Sequence, residues 1–395
     1  MSDDQTCKQN RSQPRLRGDA ADALYIHVPF CLRKCRYCDF YSLPARTDLM
    51  QQYVQAALGE LALKAPRLSE PLASVFVGGG TPTVLGGPLL TRLTSAIGPL
   101  LGTDTEFTVE ANPGTLDGAA VAAMAEAGVN RVSVGVQSFH DDELRLLGRI
   151  HSANQARQAV ASLRKASINN INLDLIYGIP GQTAQSWRAT LAEALALEPE
   201  HLSCYALSIE PGTPLEQQRR AGKLREMDET LQKNCYCAAI AAAEQAGLCH
   251  YEISNFARPS RQCRHNLTYW HNLPYVGIGP GAVSYADGVR AKTHADLESY
   301  LAAGKAGRLP QTDHERITDR TSMAETLMLG LRLIQGVDRK AFATRFNVDA
   351  VEAFSGSLSR YQRQGALIIT PSHIRLAPDV LFAADTILAD IIAEA

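Results

Sequence analysis

Positive charge is not in surplus in this chain. Its 395 residues carry 39 Lys and Arg against 41 Asp and Glu, a net charge of −2. That balance excludes wholesale binding to a phosphate backbone, which rests on clustered cations. Long apolar runs are missing too. The longest uncharged stretches, Pro71–Thr91 and His265–Ala286, are each broken by several Gly and Pro. A membrane-spanning helix needs about 20 predominantly apolar residues, so neither qualifies. The opening MSDDQTCKQNRSQPRLRGDA has no apolar core, so no signal peptide is expected and the chain is expected in the cytoplasm. The nine cysteines are an odd number, which with a reducing compartment argues against a disulfide framework. What remains is an ordinary globular composition, 45% hydrophobic and 20% charged, with material for two or three domains.

Short β-rich runs alternate with helical patterns through the first half. Strands are predicted at Leu24–Val28, Ser74–Val77, Glu106–Ala111, Arg131–Gly135, Asn172–Ile176 and His201–Leu207. Helices are predicted between them at Met50–Lys64, Leu89–Ile97, Asp117–Ala127, Ala153–Lys165 and Ala184–Leu197. Six β-then-α units in series imply parallel strands with right-handed crossovers, and a partial (β/α)6 barrel suits six units as well as a doubly wound sheet does. Polar or glycine breaks follow several of these strands, where parallel α/β folds carry their sites. After a helix over Met227–Ala246 and a strand at His250–Ile253, Ser254–Ser284 reads as loop. Helices at Ser322–Leu333, Arg339–Phe346 and Val348–Arg363, then a hairpin of Leu367–Ile369 and Ile374–Leu376, suggest a winged-helix-like C-terminal module. The expected division is a flexible tail over 1–22, the barrel over 23–250, a connecting segment over 251–312 and the helical module over 313–395.

Cysteine is informative at one place. Tyr25–Ser42 reads YIHVPFCLRKCRYCDFYS, bunching Cys31, Cys35 and Cys38 in the spacing C-x3-C-x2-C. Zinc sites usually want four protein ligands with paired cysteines, and no matching pair lies downstream. Three thiolates would instead hold three irons of a four-iron cluster and leave the fourth open, with Arg33, Lys34 and Arg36 favouring the thiolates. Three free thiols in a surface loop would merely be oxidisable. Cys7, Cys204, Cys235, Cys237, Cys249 and Cys263 are scattered.

This loop, following a first strand, resembles the signature of radical S-adenosylmethionine (SAM) enzymes. In that family the open iron chelates SAM, and an electron from the [4Fe-4S] cluster cleaves the sulfonium to a 5′-deoxyadenosyl radical. YIHVPFC, GGGTPT, VEANPGT, RVSVGVQSF, LGRIH and LDLIYGIPGQT extend the resemblance over nearly the whole chain. They are similar to the branch containing oxygen-independent coproporphyrinogen III oxidases, and more closely to its sister group, the HemW-type haem chaperones. The resemblance implies that Cys31, Cys35 and Cys38 ligate the cluster. Tyr25 and Tyr37 would pack beside cluster or SAM, and Gly79, Gly80 and Thr81 would admit the SAM amino-acid moiety. Glu110, Gln137, Arg149 and Asp174 would be its polar contacts from successive strand ends.

One departure decides between the two branches. The oxidases carry a fourth cysteine two residues after the third, where this chain has Phe40. Decarboxylation of coproporphyrinogen, the alternative function, is put in doubt; cluster and SAM binding are not. Arg264–Trp270, RHNLTYW, contains HNxxYW, associated with haem binding in the HemW-type group. His265 offers an imidazole to iron, and Tyr269 and Trp270 offer faces to a porphyrin. On the residues alone the segment reads rather as a structural clasp over the core, and it is the resemblance that turns the reading to haem. The implied partners are haem as cargo, haem-acceptor proteins of respiratory type, an electron donor for the cluster and, in a dimer, a second copy of the chain. Nucleic acid is not among them. The implied location is cytoplasmic, with peripheral contact to the inner membrane.

Overall fold

Six apolar runs become six parallel strands: β1 (Ala23–Val28), β2 (Ser74–Gly79), β3 (Glu106–Ala111), β4 (Arg131–Gln137), β5 (Asn170–Tyr177) and β6 (His201–Ala206). The computed structural model describes residues 20–395, so the tail expected over 1–22, with Cys7, lies outside the described residues except at its last positions. The strands pair in chain order, each parallel to the next. One face meets helices and the other lines the interior, where Tyr25, Phe76, Glu110, Gly135 and Asp174 stay half-buried, and the strands read as largely apolar runs. β1 and β6 do not pair with each other, and the six units form an open, partial barrel.

The crossovers are helical: α1 (Thr47–Lys64), α2 (Gly86–Ser95), α3 (Gly118–Glu126), α4 (Asp141–Leu147), α5 (Ala153–Lys165) and α6 (Ala184–Ala196). Their starts are written locally. Ser152 accepts from the Gln155 N–H while the Gln155 side chain returns to Ser152, a capping box; Thr183 and Ser186 repeat it at α6. Beyond β6 lie α7 (Pro214–Arg220) and α8 (Glu229–Gln245).

Ser254–Ser284 departs from the expected loop, and the sheet runs past the expected boundary at residue 250. β7 (Cys249–Glu252) and β8 (Asn255–Ala257) extend the sheet antiparallel beyond β6. β9 (Val276–Ile278) joins the opposite edge, parallel to β1. The final order is β9-β1-β2-β3-β4-β5-β6-β8-β7. Strands of three or four residues are too short to show a period of two, so their pattern is silent in sequence.

Between β8 and β9 runs α9 (Arg264–Trp270), which carries HNxxYW and closes the N-terminal end of the barrel. The His265 N–H donates to Glu106 Oε1 (3.2 Å), and the His265 ring meets Ser74 Oγ (3.0 Å). Ser74 and Glu106 open β2 and β3. Arg131 and His201, the first residues of β4 and β6, are buried in the same floor.

Three antiparallel strands follow, β10 (Val283–Ala286), β11 (Val289–Thr293) and β12 (Thr312–Arg316), and α10 (Leu297–Lys305) packs on α1. The C-terminal module has α11 (Asp319–Gly330), β13 (Val337–Asp338), α12 (Arg339–Phe346), α13 (Ala350–Ala353), α14 (Ser355–Arg363), β14 (Leu367–Ile369), β15 (His373–Leu376) and α15 (Ala384–Ala393). β14 and β15 form the expected hairpin, joined on the far side of β15 by β13. The helix expected over Val348–Arg363 is two. Phe354, buried under the Arg320 guanidinium at 4.2 Å, leaves helical geometry at φ −124 and ψ 44 and breaks it.

Candidate functional site

The loop after β1 is closed at its base and stitched to its surroundings. The Leu43 N–H donates to the Pro29 carbonyl (2.8 Å) and the Ala45 N–H to that of Cys31 (2.9 Å). The Arg36 N–H reaches the Leu147 carbonyl at the end of α4, and the Arg36 carbonyl accepts from Leu215 on α7. All three cysteines of the loop are half-buried. Burial pushes the Cys38 thiol up to about 11 and raises that of Cys31. Thiols held protonated in this way release protons when a metal binds.

Expected neighbours are partly reassigned. Arg33 spends its guanidinium on the Gly148 and Arg149 carbonyls (3.1 and 2.9 Å). Lys34 favours the Cys38 thiolate by its charge, as expected, and the cation that hydrogen-bonds a thiol is Arg149, whose Nη1 donates to Cys35 Sγ at 3.4 Å. Cys31 Sγ lies 3.6 Å from Thr81 Oγ1. Tyr37 is hydrogen-bonded to Arg149 and packs against the cluster of Leu147, Ile176, Ile179 and Leu215.

The strand ends bring the remaining polar residues to the same end of the barrel. The Gly79 N–H donates to Glu110 Oε2 (3.0 Å). Burial and the nearby Asp174 charge push the Glu110 carboxyl up to about 7. Asp174, also raised by burial, accepts from Ser133 Oγ (2.9 Å) and Asn172 Nδ2 (2.8 Å). Gln137 sits at φ 68, at an irregularity of the β4–β5 register. Sequence reading passes over Ser133, Asn172 and Tyr205. The first two lie two residues back along inward faces already carrying Gly135 and Asp174, which is the signal for them. Tyr205, 40% exposed on β6, interacts with Ser203 and Asn255.

The glycines expected to admit SAM are needed by the fold as well. A Cβ on Gly79 (φ 106) would lie 2.5 Å from the His27 ring, and one on Gly80 2.5 Å from the Phe30 carbonyl oxygen. The chain's own close packing already requires both glycines. Tyr25 lies within the barrel, 6.2 Å from the Phe76 ring and 6.3 Å from that of His265. Its hydroxyl donates to His27 Nδ1 (3.1 Å), because Nε2 of that ring serves the Tyr41 carbonyl.

The HNxxYW residues are not at this end. His265 is 1% exposed, its Nδ1 paired with Ser74 and its Nε2 with the Tyr269 hydroxyl (2.9 Å). It stacks on Phe76 at 5.2 Å, and burial pushes it down to about 3. An imidazole with both nitrogens engaged has none to offer iron, and the expected haem ligand is here a clasp. Tyr269 packs edge-on to His265 and Tyr275, and Trp270 lies beneath the Arg332 guanidinium at 4.7 Å.

Among the described residues no three His, Cys, Asp or Glu converge as a single metal ion would need. A four-iron cluster asks for something else, since each cysteine binds a different iron. Three half-buried thiols on one closed loop, with a half-buried guanidinium on one sulfur, fit that group.

Known proteins agree with this reading of the fold. Residues 25–194 match the Radical SAM superfamily, and residues 317–379 match the HemN C-terminal domain. Coproporphyrinogen III oxidase (HemN) from Escherichia coli, at 21% identity, superposes with a TM-score of 0.82 over 95% of this chain and 91% of that one. The fold is thus that of a radical SAM protein with a HemN-type C-terminal module. The heme chaperone HemW of Synechocystis sp. is 40% identical over 80% of this chain and 79% of its own length. That of Bacillus subtilis is 34% identical over 89% and 94%, and that of Escherichia coli 38% over 67% and 71%. The chain belongs to the family of the heme chaperone HemW. Among the described residues no helix is long and apolar enough to cross a membrane.

Proposed function

We propose that this chain is a haem chaperone on a radical SAM scaffold, which carries haem and passes it to acceptor proteins of respiratory type. Cys31, Cys35 and Cys38 hold a [4Fe-4S] cluster, and SAM lies against Thr81, Glu110, Gln137, Arg149 and Asp174. A cluster with SAM on its open iron supplies one-electron cleavage of the sulfonium. The residues of the chain prepare for it. The Gly79 N–H holds the Glu110 carboxyl by a hydrogen bond, and Ser133 and Asn172 hold Asp174. Tyr37 is hydrogen-bonded to Arg149, whose guanidinium reaches Cys35. An electron donor, a dimeric state and peripheral contact with the inner membrane belong to the same reading.

The observation that carries the choice of chaperone over oxidase is Phe40. It is 64% exposed at the position where the oxidases carry a fourth cysteine, so no thiol stands there. The haem site is assigned away from His265, whose nitrogens are committed.

Anaerobic reconstitution tests the proposal. The protein should hold about four irons, lose them in Cys31→Ala, and bind hemin with roughly one haem per chain. Incubation with reductant, SAM and coproporphyrinogen III should leave the substrate unchanged. Protoporphyrinogen formed at a catalytic rate, or hemin not retained, would overturn it.

A further inference from the structure

Arg149 is a half-buried cation without an acidic partner among the described residues. No Asp or Glu among the described residues forms an ion pair with it, although a guanidinium held away from water needs an anion close by. Its polar contacts are the Gly135 carbonyl, which accepts from Nη2 at 2.6 Å, Cys35 Sγ, which accepts from Nη1 at 3.4 Å, and the Tyr37 hydroxyl. Nε is buried and has no hydrogen-bond partner among the described residues.

The guanidinium is also clamped. Its own backbone carbonyl is held by Arg33 and its N–H donates to the Leu144 carbonyl (2.9 Å). Gly135 leaves it room, since a Cβ there would stand 3.1 Å from Nη2. A planar fork fixed at both prongs, one on a carbonyl and one on a sulfur, is geometry that Lys cannot reproduce.

We propose that Arg149 is the counter-charge of the iron–sulfur cluster, acting through Cys35 to raise the cluster's reduction potential, whatever it does for SAM. This rests on the reading of the cysteine loop as the seat of a [4Fe-4S] cluster. Reduction adds one electron and moves no proton, so the cluster with its three thiolates becomes more negative by one charge. A fixed cation hydrogen-bonded to a ligand sulfur stabilises that reduced form, the familiar lever of hydrogen bonds to sulfur on cluster potentials. Arg149 is a positioning residue in this role, because it acts through the sulfur.

The test is a potentiometric titration of reconstituted protein without SAM, dithionite supplying the electron and the signal of the reduced cluster read by electron paramagnetic resonance. Arg149→Gln should move the midpoint to more negative potential with the iron content unchanged, and Arg149→Lys should fall between. If the Gln variant does not retain iron, the Lys variant decides: a midpoint below wild type supports the proposal, and one equal to it overturns it. An unshifted midpoint in Arg149→Gln, with SAM affinity lost, would assign the residue to SAM alone. Wild-type protein that holds no iron would sink the cluster reading itself, a separate failure.

Discussion

Glu60 and Lys64, one turn apart on α1, form an ion pair of 2.6 Å with side chains 2% and 8% exposed. Glu60 Oε2 accepts from the Gly279 N–H (3.0 Å) and the Tyr300 hydroxyl (2.7 Å), while Lys64 Nζ donates to the Gly277 carbonyl (2.8 Å). The pair is therefore the clamp that holds β9 and its exit against α1, on the outer edge of the sheet.

Removing one charge leaves the other buried and uncompensated, which costs about 3–5 kcal/mol. Lys64→Met should lower stability by that amount in urea unfolding. Adding Glu60→Gln should recover part of the loss, because the stranded carboxylate goes. Equal stability of Lys64→Met and wild type would show that the pair is not a clamp.

His265→Ala should act on stability rather than on haem. The change orphans Ser74 Oγ and the Tyr269 hydroxyl and opens space beside Phe76, together costing about 2–4 kcal/mol. The melting temperature should fall, while hemin stoichiometry and the Soret band of the folded protein stay as they were. A displaced Soret band with unchanged stability would restore His265 as an iron ligand.

Acid should destabilise the fold, and the signs can be worked out. Burial lowers the imidazoles of His27, His151, His201, His250, His265 and His271; His151 and His250 reach about 4 and His265 about 3. Between pH 6.5 and those values the unfolded chain binds protons that the folded chain refuses, so stability falls as pH falls. Glu110 and Glu252, both pushed up to about 7, and Asp174, also raised, act oppositely. They add stability as pH drops toward their unfolded range near 4, where the gain saturates. Six imidazoles outnumber three carboxyls, so urea midpoints should decline from pH 7 to 5 and more steeply from 5 to 4. A midpoint that rises on acidification to pH 5 would contradict the assignment.

The barrel was largely legible because six buried parallel strands leave apolar runs punctuated by glycine and polar breaks. β3 is found with both ends as expected. Segments whose structure comes from tertiary pairing were not legible. Gly277 and Gly279 lie in or beside β9, and the partners that fix them there, Lys64 and Glu60, are more than two hundred residues earlier. Charged β12, Thr312–Arg316, has no apolar alternation to betray it. The cysteines and Glu110, Gln137 and Asp174 were visible as motifs on or just after strands, whereas Arg149 follows α4 rather than a strand end. What His265 does was not, because its answer lies in Ser74, 191 positions away.

The register of β9 has a consequence for how the chain is made. Leu24, in the first strand of the described residues, pairs on one side with Val75 but on the other with Val276. At about 5–20 residues per second, roughly 10–50 s of synthesis separate the two. Throughout that interval Ala23–Val28 carries a bare hydrogen-bonding edge, apolar apart from His27 and the Tyr25 hydroxyl. A product truncated before residue 276 keeps that edge for good, a ready template for pairing with another chain.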